Sequence, residues 1–313
     1  MQNTLIQGGG ALAVSQNGFL KKQKMDLRAV LMGLAFAMMW SSAFSSAVII
    51  VADSPPLTAL ALRFFISGLI GVAVARIMGQ SWYLTRSQWR ATILFGICQN
   101  ALYLGLNFIA MQNIEASLAA IIASTLPLLV ALTGWLIFQD KIQPLGIAGL
   151  VAGMTGVCLI LGGRLQGGAD MFGAVLCILG VVALTAATLT LRNGAIGGAF
   201  MMVVGLQMLI GSAALAVPAL LFEPFVVNWT PRLILAFAYT TVVPGILATL
   251  IWFMLLNRIG AIKAATFHFL NPIFGVAFAA VLLGEKIGLL DLVGVVVITA
   301  GILAVQLSKQ NPR

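Results

Sequence analysis

The sequence predicts an all-α integral membrane protein of ten transmembrane helices, arranged as two inverted five-helix repeats. Three observations carry that prediction. Of the 313 residues, 61% are hydrophobic and only 8% are charged, with a mean hydropathy of +1.08. That is too little charge to face water around a domain of this size, so lipid must be the main solvent. Ten apolar runs reach the length of about 20 residues that crosses the hydrocarbon core as helix. Finally, one stretch occurs twice: Ile114–Leu161 registers without a gap on Ile259–Gln306 at a shift of 145 residues.

The shift sets Ala116 and Ala119 on Ala261 and Ala264, and Pro127 on Pro272. It sets Asp140-Lys141 on Glu285-Lys286, Gly149 on Gly294 and Gly156 on Gly301. A gapless match of this length marks an internal duplication. Each copy reads as an apolar helix broken by a proline, an acidic-Lys turn, and an apolar helix carrying glycines.

In order along the chain, residues 1–28 form a polar, Gly-rich tail with Lys21, Lys22 and Lys24 close to the first span. No cleavable signal is expected, because the apolar run that follows is of full spanning length. The spans fall at about Ala29–Val51, Leu57–Met78, Ala91–Met111, Ala116–Phe138 and Leu145–Leu161. They continue at Met171–Leu191, Ala199–Phe222, Leu233–Leu256, Ala261–Leu283 and Leu289–Leu307. The first repeat is thus 29–162, joined by a linker at 163–170 to the second at 171–307, with a short tail at 308–313. No loop could hold a soluble domain.

Basic residues set the orientation. With the N-terminus inside, thirteen Lys and Arg fall on the inner side, among them Arg28, Arg76, Lys141, Arg192 and Arg258. Only Arg164, Arg232 and Lys286 fall outside. The bias predicts both termini in the cytoplasm of a bacterial inner membrane. The net charge of +9 therefore reports topology, and nucleic acid is not an expected partner. Because each repeat has five spans, the second enters the membrane from the opposite side. Such inverted halves around a central site are the architecture of many secondary transporters.

These features resemble the drug/metabolite transporter superfamily, and within it the EamA-type metabolite and amino-acid exporters. The resemblance spans about Ala29 to Gln306 and is carried by TLPLLVALTGWLIFQDK, LNPIFGVAFAAVLLGEK and LRFF at Leu62–Phe65. Asp140 stands where that family more often has Glu. The resemblance implies export, in the manner of aromatic amino acid exporters.

Prolines Pro127 and Pro272 remove an N–H and clash with the carbonyl four residues back, which points to paired hinges and to freed carbonyls at Ala123 and His268. Polar and aromatic residues within spans supply the candidate substrate contacts. They are Trp40, Ser41 and Phe44 in the first span, Asn100, Tyr103 and Asn107 on one face of the third, and Ser124 in the fourth. Thr185 in the sixth, Tyr239 in the eighth, and Phe267, His268 and Asn271 in the ninth complete the set. Amides and imidazole are costly against lipid, so these faces should turn inward; helix–helix hydrogen bonding is the alternative for each hydroxyl. Arg63, inside the second span, could snorkel outward or meet a substrate carboxylate near the outer mouth. Trp82, Tyr83, Trp89 and Trp229 sit at span ends as interface anchors. Gly149, Gly153 and Gly156 make a small-residue face that predicts close packing, a homodimer contact being one form of it.

A lining of rings, amides and hydroxyls suits a net-neutral, amino-acid-like zwitterion with a large apolar group better than a phosphate, which would call for several Lys or Arg. A multidrug or purine/nucleoside exporter is the alternative within transporters. An integral-membrane enzyme or assembly factor is the alternative from another class, but the eight carboxylates lie at span ends or in loops, Asp291 lying closest to a span. No GxGxxG, Walker A or GxSxG motif is present. No metal or cofactor is expected: the single histidine rules out His clusters, and Cys98, Cys158 and Cys177 lack ligand spacing. If protons are coupled, His268 is the candidate carrier, since imidazole titrates near physiological pH; a plain hydrogen bond to substrate is the other reading.

Overall fold

The computed structural model describes residues 26–190 and 199–310, and Lys21, Lys22, Lys24 and Arg192 lie outside these. Among the described residues, ten helices are long and apolar enough to span a membrane. They are α1 (Leu27–Asp53), α2 (Pro56–Ile77), α3 (Arg86–Ala110), α4 (Ala116–Leu136), α5 (Pro144–Gln166), α6 (Met171–Leu189), α7 (Phe200–Phe222), α8 (Pro231–Leu256), α9 (Lys263–Leu283) and α10 (Leu289–Lys309). No strand occurs among the described residues. Ten crossings return the chain to the face it started from; that face is called terminal below, and the opposite one far.

Local chemistry sets the boundaries. Asp26 caps α1 by accepting from the Ala29 N–H at 3.0 Å. Thr85 and Gln88 close a capping box on α3, and Thr230 caps α8 from the Leu233 N–H at 3.1 Å. Pro56, Pro144 and Pro231 occupy first turns, where the missing N–H would have had no partner anyway. Leu62, Phe65 and Leu69 on α2, Leu220 on α7 and Val296 on α10 are exposed. Apolar groups face outward because lipid, not water, surrounds them.

The two repeats pack as a dyad. Helix α2 lies on α7 and α5 on α10; α1 packs on α8 and α9 as α6 packs on α3 and α4. The α5–α10 contact shows the symmetry atom by atom. A β-carbon on Gly149 would stand 2.7 Å from the Gly301 carbonyl, and one on Gly294 would stand 3.3 Å from the Gly156 carbonyl. The 145-residue shift carries the first of these contacts onto the second. The Gly149–Gly153–Gly156 face is therefore consumed inside the protomer by α10 and is not free for a second copy.

Helices α4 and α9 are broken at equivalent places. In α4 the helix Ala116–Ala123 turns at Ser124-Thr125 before Leu126–Leu136. In α9 a 3-10 turn, Phe267–Leu270, precedes Asn271–Leu283. Pro127 and Pro272 thus sit in the first turn after each break, where proline is tolerated. The expected free carbonyl at His268 is taken by the Asn271 N–H. Ser124 and Thr125 donate to the Ile121 and Ile122 carbonyls at 2.6 and 2.7 Å.

A second matched irregularity lies in α3 and α8. Gly96–Tyr103 and Thr241–Leu247 are both wound as π-helix, and the 145-residue shift sets Gly96 on Thr241. Pro244 accounts for the widened turn in α8. In α3 the corresponding residue is Gln99.

Candidate functional site

The π-wound segments meet the middle of α1 and α2 at a central cavity of about 60 Å³. Trp40 and Phe44 enter from α1, Arg63 and Phe64 from α2, and Gln99, Asn100, Tyr103 and Asn107 from α3. Met208 comes from α7, and Pro244, Gly245 and Thr249 from α8. Wide π turns displace side chains from the ordinary helical register and recur at functional sites. Here they angle α3 and α8 around one space.

The amides are held in place. Asn100 Nδ2 donates to the Gln207 carbonyl of α7 at 3.0 Å, and Asn107 Nδ2 to the Tyr103 carbonyl at 2.8 Å. Cys177 of α6 donates its thiol to Asn107 Oδ1 at 3.3 Å. These bonds fix the wall as well as line it. Arg63 is 6% exposed, so it does not snorkel: its guanidinium carbon lies 5.2 Å from the Phe64 ring centroid, within the protein. The sequence left it between snorkelling and a substrate contact, whereas Gln99, Phe64, Met208 and the Pro244-Gly245 pair were not among the candidate contacts.

Of the candidates read from the sequence, Trp40, Phe44, Asn100, Tyr103 and Asn107 line this cavity. The others are placed elsewhere. Ser41 donates to the Asn271 carbonyl at 3.2 Å, and Ser42 and Tyr239 share a 2.7 Å hydrogen bond between α1 and α8. Thr185 donates to the Val181 carbonyl of its own helix at 2.8 Å, and Ser124 patches the break in α4. His268 Nδ1 is 3.0 Å from Asn271 Nδ2, and its ring stands edge-on to Phe36 and Trp252, with centroids 5.4 and 5.2 Å away. With Phe267 packed against Gly33, this aromatic cluster lies between the cavity and the terminal face.

The far face is closed by carboxylates used as helix caps and ties. Glu223 accepts from the Leu57 and Thr58 N–H groups at 2.7 and 2.8 Å, capping α2. Glu285 does the same for α4 through Ala116 and Ser117 at 2.7 and 3.0 Å. Arg164 Nε donates to Asp291 at 2.9 Å while its Nη1 pairs with Glu115. Each of these contacts joins one repeat to the other, except Arg164–Glu115, which ties α5 to α4. At the terminal face, Asp26 pairs with Arg258. The Arg258 hydrogen bond holds the Asp26 carboxyl down at about 2.

The EamA-like transporter family matches residues 27–162 and again 170–307. The chain belongs to that family. Its two matched segments follow the two five-helix repeats, one unit each. The transporter YvbV of Bacillus subtilis is 26% identical over 282 residues, covering 90% of this chain and 92% of its own. The inner membrane transporter YedA of Escherichia coli K12 is 25% identical over 288 residues. The aromatic amino acid exporter YddG of Ancylobacter novellus is 27% identical over 144 residues, 44% of this chain and 48% of its own. A crystal structure, 22% identical and covering 89% of this chain, superposes with a TM-score of 0.67, which shows the same fold. The chain is accordingly a multi-pass membrane transporter with a small-molecule substrate.

Proposed function

We propose that the protein exports amino acids with aromatic or other large apolar side chains across a bacterial inner membrane, by alternating access about the central cavity. The lining carries this reading. Trp40, Phe44, Phe64 and Tyr103 offer rings to an apolar side chain, and Gln99 and Asn100 offer amides to polar ends. The likeness to YddG over part of its length, and to YedA, supports the substrate class and the membrane. The bias of basic residues supports a cytoplasmic terminal face. A cavity of about 60 Å³ is far below the roughly 300 Å³ that a drug-sized ligand needs. Binding therefore requires the halves to separate, which is what rocking of two inverted repeats supplies. A buried arginine in the wall disfavours the alternative of a cationic drug.

The test is counterflow in proteoliposomes against amino acids, purine nucleosides and cationic drugs. Exchange of phenylalanine, leucine or methionine without exchange of drugs or nucleosides is the expected result. Exchange confined to nucleosides or drugs overturns the reading.

A further inference from the structure

We propose that Arg63 and Ser67 form the receptor for a carboxylate on the transported solute, so that the protein selects organic acids and zwitterions over the matching amines and amides. This deepens the amino-acid reading above and rests on it for the choice of probe.

An arginine buried in an apolar bundle is costly unless something answers its charge. Arg63 lies seven residues into α2, about 10 Å below the far face at 1.5 Å per residue. Among the described residues no carboxylate pairs with it. Glu223 and Glu285 are spent on helix N-termini, Glu115 and Asp291 on Arg164. Asp53 accepts from Asn228 and Thr230 at the far face. Asp26 and Asp140 are at the terminal face, and Asp170 caps α6 through the Gly173 N–H. The face of the Phe64 ring answers only part of the charge.

Two donors then stand unpartnered on the same side of one helix. Arg63 Nε and Ser67 Oγ are both buried and make no hydrogen bond, and residues four apart share a helical face. Both look toward Gly245 in the π-wound segment of α8. A β-carbon there would lie 3.6 Å from Arg63 Nη2 and 3.6 Å from Ser67 Oγ. The glycine keeps open the ground in front of the two donors, and Arg63 and Gly245 both line the cavity. A guanidinium fork with a neighbouring hydroxyl matches the two oxygens of a carboxylate, a geometry that ammonium or amide groups do not offer.

The experiment uses the purified full-length protein in proteoliposomes and reads inhibition of counterflow and quenching of intrinsic tryptophan fluorescence. The probes are phenylalanine, phenylalaninamide, phenethylamine and 3-phenylpropionate. Phenylalanine is expected to act at concentrations at least tenfold below its amide and the amine in the wild type. Arg63→Gln should remove that preference, Arg63→Lys should keep part of it, and Ser67→Ala should reduce it severalfold. Equal potency of phenylalanine and phenylalaninamide in the wild type overturns the receptor while leaving amino-acid export standing, with no variant needed. Binding of phenylpropionate alone, lost in Arg63→Gln, overturns the amino-acid reading and supports the receptor. Response to the amine alone overturns both.

Discussion

Glu285, in the turn between α9 and α10, accepts a hydrogen bond from the Ala116 N–H at 2.7 Å and so caps α4 in the other repeat. The duplication places Glu285 at the counterpart of Asp140, so the same acidic turn occurs once on each face. The far-face copy holds the start of a helix 169 residues away in sequence. Loss of a charged cap that satisfies two backbone donors costs about 1–3 kcal/mol. Glu285→Ala should destabilise the protein in detergent by that amount, read as a lower thermal midpoint, and Glu285→Gln by less. An unchanged midpoint in Glu285→Ala would show that water replaces the cap without cost.

The opposite placement of the two acidic turns is testable directly. Single cysteines at Asp140 and Glu285, with Cys98, Cys158 and Cys177 removed, should react with an impermeant maleimide from opposite sides, Glu285 from the periplasm. Labelling from the same side contradicts the inverted repeat.

The glycine contact between α5 and α10 predicts a specific non-additivity. Gly149→Ala and Gly301→Ala each push a methyl group to within 2.7 Å of the facing backbone. Overpacking of this kind costs about 1–3 kcal/mol. Because both changes widen the same seam, the double variant should lose clearly less than the sum. Strict additivity in thermal melts would show that the two positions do not share a contact.

Pro127 and Pro272 each follow a helix break, so alanine there restores an N–H that lets the helix continue through it. Each of Pro127→Ala and Pro272→Ala should slow counterflow severalfold while the protein stays monodisperse. Wild-type turnover in both variants would reduce the breaks to static features.

The Asp26–Arg258 pair sets a pH window. Its carboxyl sits at about 2 in the folded protein against a usual 3.8. A depressed acid stabilises the fold above its unfolded value, and the benefit is lost as pH falls toward the folded one. Asp26→Asn should therefore melt below wild type by a constant margin from pH 5 to pH 8, narrowing only below about pH 4. A margin that changes between pH 5 and pH 8 would assign the effect to another group.

The ten spans and the duplication were legible because they are written in apolar length and in residues that match at one fixed shift. The cavity was only half legible. Trp40, Phe44, Asn100, Tyr103 and Asn107 stand out as polar or aromatic residues in apolar runs, and they meet in space. Ser41, Thr185 and Tyr239 stand out equally, yet their hydrogen bonds go to helix backbones and to neighbouring helices, a choice only packing decides. Arg63 was ambiguous for a related reason. The helix α2 is apolar nearly all round, so its sequence does not tell which side carries Leu62, Phe65 and Leu69 toward lipid. The matched π turns left no residue signature at all in α3, where no proline marks the widened turn that Pro244 marks in α8.

The two exits from the cavity are closed by unlike materials. Toward the far face the closure is made of carboxylates and an arginine. Toward the terminal face it is Phe36, Trp252 and His268 in ring-to-ring contact, with Phe267 packed against Gly33. Parting the first exchanges ionic and amide partners for water and ions, so dissolved salt should ease it. Parting the second wets aromatic surface, which raises the heat capacity and gives that step a curved temperature dependence. The two half-cycles of transport should then be separable by salt and by temperature, each acting on one gate and sparing the other.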